Sequence, residues 1–252
     1  MTVRARRAVP DHDGAVPKAV AGFFSFTEIT DPTAHRAYNE WHQLDHLPEQ
    51  LPLTGVVSGE RWVCSPRCRA ARFAADDELT PVHYVTLYLL AEPLGRTLAD
   101  FAGLAARLRT EGRFFDARRA RLSGPFAVRS RHVAPRVAVS AEAVAHRPTR
   151  GVYVVVQPTD AEPVGSAGWV EVPGVAGVWG FDGLDEQPTT TGARWRPGPH
   201  RITVAFLDDD PVVVAGRLEP HLPAPPGLRL AGPFEAIVPW RWHWFDQCPQ
   251  RL

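Results

Sequence analysis

Apolar residues along the chain follow two rhythms. Short stretches rich in Val, Phe, Tyr and Leu, several of them bounded by Gly or Pro, fall near 20–28, 55–64, 82–91 and 125–133, and again near 151–157, 175–181, 201–207 and 233–241. Each has the length and residue types of a strand. A helical rhythm separates some of them. Over about 96–110, Leu98, Phe101, Leu104, Ala105 and Leu108 recur at three- and four-residue spacing, and Gly112 is placed to end the helix. An earlier helix begins at Asp31, which can cap it, with Pro32 suited to the first helical position. It is expected to stop near Leu47, because the residue before Pro48 avoids helical dihedrals. Along it, Ala34, Ala37, Trp41 and Leu44 form the stripe expected to pack on a sheet.

The pattern occurs twice. Leu122-Ser123-Gly124-Pro125-Phe126 recurs as Leu230-Ala231-Gly232-Pro233-Phe234, each preceded by an arginine. Thr54-Gly55-Val56-Val57 matches Pro173-Gly174-Val175-Ala176, and the stretch Tyr84–Leu89 matches Ile202–Leu207. Three correspondences in one order point to an internal duplication. Each copy reads strand, helix, strand, strand, helix, strand, which is the ferredoxin-like βαββαβ order. The second copy has lost its first helix to a Gly/Pro-interrupted segment over 160–168, and its second helix starts at Asp210-Pro211. Polar insertions at 65–80 and 182–199 occupy the same place in both copies. The expected fold is therefore α+β: two ferredoxin-like repeats, 19–135 and 150–245, pair their antiparallel sheets into one intramolecular barrel. A linker over 136–149 joins them, and tails over 1–18 and 246–252 flank them.

Composition narrows the functional classes. The chain has 252 residues, with 28 basic against 28 acidic, so it lacks the excess of Lys/Arg that a nucleic-acid binder uses to displace counterions. No window approaches the roughly 20 apolar residues of a membrane helix. The basic N-terminal stretch has no apolar run behind it and reads as a frayed tail, not a signal peptide. Three cysteines, Cys64, Cys68 and Cys248, suit a reducing cytoplasm. These features point to a soluble cytoplasmic protein and away from nucleic acid and membrane; the expected partner is a small molecule, and the expected state a monomer or homodimer.

Candidate chemistry concentrates at the end of the first helix, in Tyr38-Asn39-Glu40-Trp41-His42-Gln43-Leu44-Asp45-His46-Leu47-Pro48-Glu49. Residues four apart share a helix face, so Tyr38, His42 and His46 stand in one column. Imidazole titrates near neutral pH, which suits proton transfer. The same i, i+4 histidines have the spacing of half a metal site, with Glu28, Asp45, Glu49 or His83 as candidate third ligands. Cys64 and Cys68, separated by three residues and with no second pair, do not make a structural zinc site. No phosphate-cradling glycine loop and no G-x-S-x-G elbow is present. Asp208-Asp209-Asp210 before Pro211 reads as a helix start. At the C-terminus, Trp240, Trp242 and Trp244 alternate and on a strand would share one face, either lining a pocket for a planar ligand or covering a barrel seam or subunit contact.

The run Tyr38–Leu51, followed by Thr54-Gly55-Val56 and Arg61-Trp62, resembles the dimeric α+β barrel superfamily, and within it the EthD-like branch. There a Trp-bearing helix and a His-x-Pro-Glu motif lead into a Pro-Gly turn and a strand ending in Arg-aromatic. Here Thr54 stands where that turn commonly has proline. The second copy has no equivalent of Trp41, His46 or Glu49, which implies one working site and a degenerate half serving as wall and lid. The resemblance implies a cavity between sheet and helices, His46 as acid/base group, and Glu49 and Arg61 as its polar partners. Helix geometry adds Tyr38 and His42, and Trp41, Trp62, Tyr88 and Phe24 are expected as substrate-contacting walls.

The superfamily hosts cofactor-free monooxygenases, polyketide cyclases, lactone isomerases, decarboxylase-like members and haem enzymes, so fold alone does not choose a reaction. The leading expectation is a cofactor-free cyclase, isomerase or decarboxylase of secondary or degradative metabolism. It would act on an aromatic or polyketide-like metabolite, with no metal, His46 taking a proton and Arg61 stabilising the resulting enolate or phenolate. Alternatives are a cofactor-independent monooxygenase, a haem or metal enzyme, and a non-catalytic binding protein.

Overall fold

The computed structural model describes residues 18–165, 167–184, 187–188, 194–195, 197–224 and 227–246. The tails expected over 1–18 and 246–252, with Cys248, lie almost wholly outside the described residues. The first half runs β1 (Ala21–Ile29), α1 (His35–Trp41), α2 (Leu47–Gln50), β2 (Val56–Val63), α3 (Pro66–Ala70), β3 (Ala74–Ala75), β4 (Tyr84–Leu90), α4 (Leu94–Thr110) and β5 (Arg118–Val133). The second runs β6 (Gly151–Pro158), β7 (Val175–Gly183), β8 (Gln187–Pro188), β9 (Arg194–Trp195), β10 (His200–Leu207), α5 (Pro211–Leu218) and β11 (Leu230–Ala236).

Eight long strands form one antiparallel sheet in the order β2-β4-β1-β5-β7-β10-β6-β11, and β11 pairs back on β2 to close it into a barrel. Each half contributes its four long strands in the same spatial order: second, third, first, fourth. The two seams between halves differ. β5 and β7 pair from Phe126↔Gly183 to Val133↔Gly177, whereas β2 and β11 pair only at Val63↔Glu235 and Trp62↔Ala236. Alternation along each strand sorts side chains by face. Phe24, Phe26, Val85, Leu87, Phe126, Trp179, Phe181, Val204, Phe206 and Phe234 belong to the buried core that fills the barrel. The opposite parity faces the helices outside.

Several correspondences between the halves recur in backbone register. Gly55 and Gly174, at φ +89° and +95°, make the same left-handed turn into the next strand, a conformation that glycine adopts without steric cost. After these turns Val56 pairs with Leu90 and Val175 with Leu207. Phe126 pairs with Gly22, and Phe234 with Val152. The match of Tyr84–Leu89 with Ile202–Leu207 is off by one residue. Leu90 and Leu207 hold equivalent places, so Thr86 corresponds to Thr203, opposite Ser25 and Val155 respectively.

Three expectations about local structure are corrected. The first helix does not stop before Pro48 but continues to Gln50, through a π-helical turn over His42–His46 in which the Leu47 N–H donates to the His42 carbonyl. The wider turn accommodates a proline that has no N–H to give and whose ring would crowd the carbonyl four residues back. The face turned inward is only in part the Ala/Trp/Leu stripe: Ala34 and Trp41 pack against the cluster of Ile29, Tyr38, Val63 and Tyr84, but Ala37 and Leu44 do not. His35, Tyr38, Asn39, His42, His46 and Gln50 are buried, while Ala37 is exposed and Leu44 is 50% exposed. Finally, the C-terminal tryptophans do not sit on a strand. β11 ends at Ala236, and Arg241 N–H donates to Val238 O across a turn with Pro239 and Trp240, where Trp240 has φ +66°. Pro and a positive φ at these two positions are the marks of a type II turn, which breaks the alternation. Trp242 is buried and donates through Nε1 to Gln43 Oε1 over 3.2 Å, while Trp240 stays 72% exposed.

Each insertion crosses to the other half. β3 pairs with β11, and Arg229 bonds to Asp76 and Glu78. In the other direction, Trp195 packs edge-on against Phe23, with ring centroids 4.9 Å apart. The segment expected as a linker is also built in, since Val137, Val144 and Ala145 are part of the core.

Candidate active site

A cavity of about 230 Å³ lies between the outer face of the first-half sheet and its helices. Its floor is made by outward-facing residues of β1, β4 and β5. Across these strands runs a polar row in direct register: Ser123 opposite Ser25, Ser25 opposite Thr86, and Thr86 opposite Arg61 on β2. The roof is the helix column Tyr38, His42, His46 and Gln50, and α4 adds Phe101, Ala105 and Arg109. Phe114 and Arg118 form one side, and Trp195 comes from the second half.

The structure thus brings Tyr38, His42, His46 and Tyr88 to one cavity. The Gln50 amide lies 3.1 Å from His46 Nε2, and the His46 ring stacks on Trp41 at 4.5 Å. Trp41 stands behind His46, its Nε1 donating to Arg113 O over 2.7 Å. Nδ1 of both histidines is buried with no protein partner among the described residues.

Other expected residues lie elsewhere. Glu49 is not a partner of His46. Its carboxylate takes Arg113 at 2.7 Å and Arg107 at 3.2 Å on the outer surface, and Asp45 joins it on Arg113. Phe24 and Trp62 point into the barrel, because each has the opposite strand parity to the cavity-facing Ser25 and to Arg61. Phe24 packs there against Phe126 and Phe181.

Arg61 is buried beside the cavity at 5% exposure. Its Nη2 donates to Asn39 Oδ1 over 3.0 Å, and its guanidinium lies over the rings of Tyr38 and Tyr84 at 5.1 and 5.6 Å. Asn39 is itself held by donating to His35 O and to the Tyr84 hydroxyl. Arg118 and Arg109 sit over the Phe114 ring at 4.5 and 4.1 Å. None of these three arginines has a carboxylate partner among the described residues, and no Asp or Glu lines the cavity.

Burial first, and this charge distribution second, set the protonation of the histidines. Burial, reinforced by Arg118, Arg61 and Arg109, pushes His46 down to about 3. Burial and then Arg61, His46 and Arg118 hold His42 well below its usual range. Both imidazoles are neutral at pH 7. Burial raises the Tyr88 phenol, so it too stays protonated.

The same field disfavours a cation. Among the described residues no group of three His, Cys, Asp or Glu side chains is placed to hold a metal ion. The third ligands considered for His42 and His46 are engaged: Glu28 with Arg121, Asp45 and Glu49 with Arg113, and His83 against His35 and Phe245.

Reading the sequence misses Gln50, Asn39, Arg118, Arg109, Phe114 and Trp195. Gln50 continues the four-residue column beyond His46 and escapes notice only because a helix expected to stop before Pro48 excludes it. Arg118 opens β5, which begins seven residues earlier than the apolar pattern suggests. Trp195 carries no local signal, since its role comes from the crossing of an insertion between halves.

No protein-family model matches the chain, and no curated protein matches it. Among solved structures the chain is similar to the crystal structure of an anthrone oxidase-like protein, at 12% identity and a TM-score of 0.47, over 87% of this chain and 92% of that one.

Proposed function

We propose that this chain is a cofactor-free enzyme that removes and returns a proton on a small aromatic or polyketide-like metabolite, in a reaction of the cyclase, isomerase or decarboxylase type. One observation carries the reading: two buried neutral histidines share a cavity with unpaired guanidinium charge and no carboxylate. A neutral imidazole can accept a proton, and the anion left on the substrate gains from the arginines. His46 is the acid/base group, with its ring plane set by Trp41 and its Nε2 engaged by Gln50. Arg118, which lines the cavity, meets negative charge on the substrate. Arg61 adds to the field from behind Tyr38, positioned by Asn39.

The proposal extends to the chain's organisation: a tandem duplication of a ferredoxin-like unit, 19–135 and 150–245, in the EthD-like branch, with one working site. The shared strand order and the Gly55/Gly174 turns support it. In the second half the space between sheet and helix is taken by an apolar cluster including Trp169, Tyr153, Val214 and Leu218. The two described cysteines, Cys64 and Cys68, are free and buried, which suits a cytoplasmic protein.

The test is hydrogen–deuterium exchange at the acidic C–H of aromatic ketones and β-dicarbonyl arenes, followed by NMR in D₂O. Exchange or turnover is expected with the natural chain and a loss of at least about hundredfold with His46→Gln. Undiminished exchange in that variant overturns the reading. Stoichiometric oxygen uptake during turnover moves the same anion chemistry to a cofactor-independent monooxygenase.

A further inference from the structure

Seven buried polar atoms without protein partners surround this one cavity. Five belong to residues that line it: His42 Nδ1, His46 Nδ1, Gln50 Oε1, Tyr88 OH and Arg118 Nε; the other two are Nε and Nη1 of Arg61. Two more such atoms, Nε of Arg72 and of Arg131, lie elsewhere in the described chain. Buried polar groups are nearly always paired, so a concentration of unpaired polar atoms marks a place shaped for a ligand that pairs them. Three of the seven are guanidinium nitrogens, of which Arg118 Nε is in the lining. The lining offers arene surface as well: Phe23, Phe101, Phe114 and Trp195.

We propose that the substrate arrives already as an anion: a one-ring or fused two-ring aromatic acid whose planar oxyanion, a carboxylate or an ionised phenol, seats on Arg118. Its ring lies among Phe101, Phe114 and Trp195. This rests on the reading of the cavity as the substrate site and narrows its substrate class. Charge is the first argument. An unpaired guanidinium held over arene faces keeps its in-plane N–H fork free, and that fork matches a planar oxyanion. Arg109, exposed at the rim, extends the positive potential to solvent and favours arrival of an anion. Size is the second. A cavity of about 150 Å³ holds benzene, so 230 Å³ accommodates one substituted ring or a fused pair but not a long multi-ring chain. The third is chemical. An anionic substrate offsets the arginine charge that otherwise opposes protonation of His46, so binding itself raises the basicity the reaction uses.

Isothermal titration of the full chain in moderate salt, at constant neutral pH, compares benzoate and 2-naphthoate with benzamide and benzylammonium. The carboxylates are expected to bind at least about tenfold more tightly than benzamide, and benzylammonium not at all. 4-Nitrophenol measured above and below its own ionisation separates the two oxyanion sources. Tightening on ionisation beyond benzoate's affinity assigns the phenolate, and a benzoate preference assigns the carboxylate; both support an anion site. Arg118→Met is expected to remove the tenfold preference and Arg118→Lys to restore part of it, with circular dichroism showing both folded. If Arg118→Met does not fold, Arg118→Lys carries the test, since it must weaken benzoate more than benzamide. Equal binding of benzamide and benzoate, or no binding of any of them, overturns the proposal. Should aromatic acids bind while His46→Gln leaves turnover unchanged, the anion site stands and the acid/base reading falls. Should only neutral arenes turn over, and depend on His46, the reverse holds.

Discussion

Arg61 donates to Asn39 Oδ1 over 3.0 Å, and among the described residues this is the guanidinium's single hydrogen bond. A buried charge held by a neutral amide projects its field undiminished onto its neighbours, here His42 and His46. Asn39→Asp would supply a carboxylate at nearly the same place. It is expected to raise the pKa of both histidines, read as earlier protonation of their imidazole resonances in an NMR titration. Asn39→Leu removes the acceptor and strands a charged donor, and should lower stability by about 1–3 kcal/mol in urea unfolding.

Acid should destabilise this protein through its histidines. His46 lies near 3 when folded and near its ordinary 6.5 when unfolded, so between those values the unfolded chain binds the extra proton. Its contribution is therefore complete above about pH 6.5, declines as pH falls through the window, and is exhausted near pH 3. His35 and His83, pushed down to about 4 and about 3 chiefly by burial, act with the same sign. Urea midpoints are expected to fall steadily from pH 7 to 4.5. His46→Gln should reduce that slope by roughly 1.4 kcal/mol per pH unit. An unchanged slope would mean that His46 is not held neutral by burial.

Glu49 provides the opposite control. Its partners are the surface guanidiniums of Arg107 and Arg113, so Glu49→Gln is expected to cost at most about 1 kcal/mol. Turnover by that variant should stay within about twofold of the natural chain. A collapse of activity in steady-state assays would place Glu49 on His46 after all.

Trp195→Ala shortens the wall that the second half lends to the cavity. The edge contacts with Phe23 and Phe101 disappear, so binding of an aromatic ligand should weaken several-fold, by faster dissociation. Stopped-flow fluorescence measures this directly, and an unaltered off-rate would show that the wall does not touch the ligand.

Much of the barrel was legible because strand and helix rhythms are local. The α4 helix and six of the eight long strands lie within a few residues of their expected places, while β5 starts seven residues early at Arg118 and β11 ends five residues short at Ala236. The last strand was misjudged because alternating tryptophans imitate one, while Pro239 turns the chain at their start. The roof column was legible up to His46. Beyond it the rule against helix before proline failed, since a π turn removes the steric conflict on which that rule depends, and Gln50 was hidden. Half of the inward stripe, Ala37 and Leu44, is misassigned for a related reason. Hydrophobicity marks the buried face only where the helix covers a dry core, and here it covers a polar cavity. Trp62 was assigned to the cavity from its place in a motif, although strand parity alone sends Arg61 and Trp62 to opposite faces. Arg118 and Trp195 depend on contacts between distant segments, which no window of sequence contains.

The closing seam has a consequence for motion. A ladder of two residue pairs, Val63↔Glu235 and Trp62↔Ala236, has far less holding it than the β5–β7 ladder on the opposite side. Ser65 and Arg67 both bond to Glu235 and act as a latch on that edge. Transient opening of the cylinder should therefore begin there, and amide hydrogens of Trp62 and Val63 should exchange with solvent sooner than those along β5. Arg61 is the next residue on that strand. Whatever loosens the latch also displaces one of the charges that, after burial, keep His42 and His46 neutral, so the protein's weakest mechanical joint is adjacent to part of its electrostatic control.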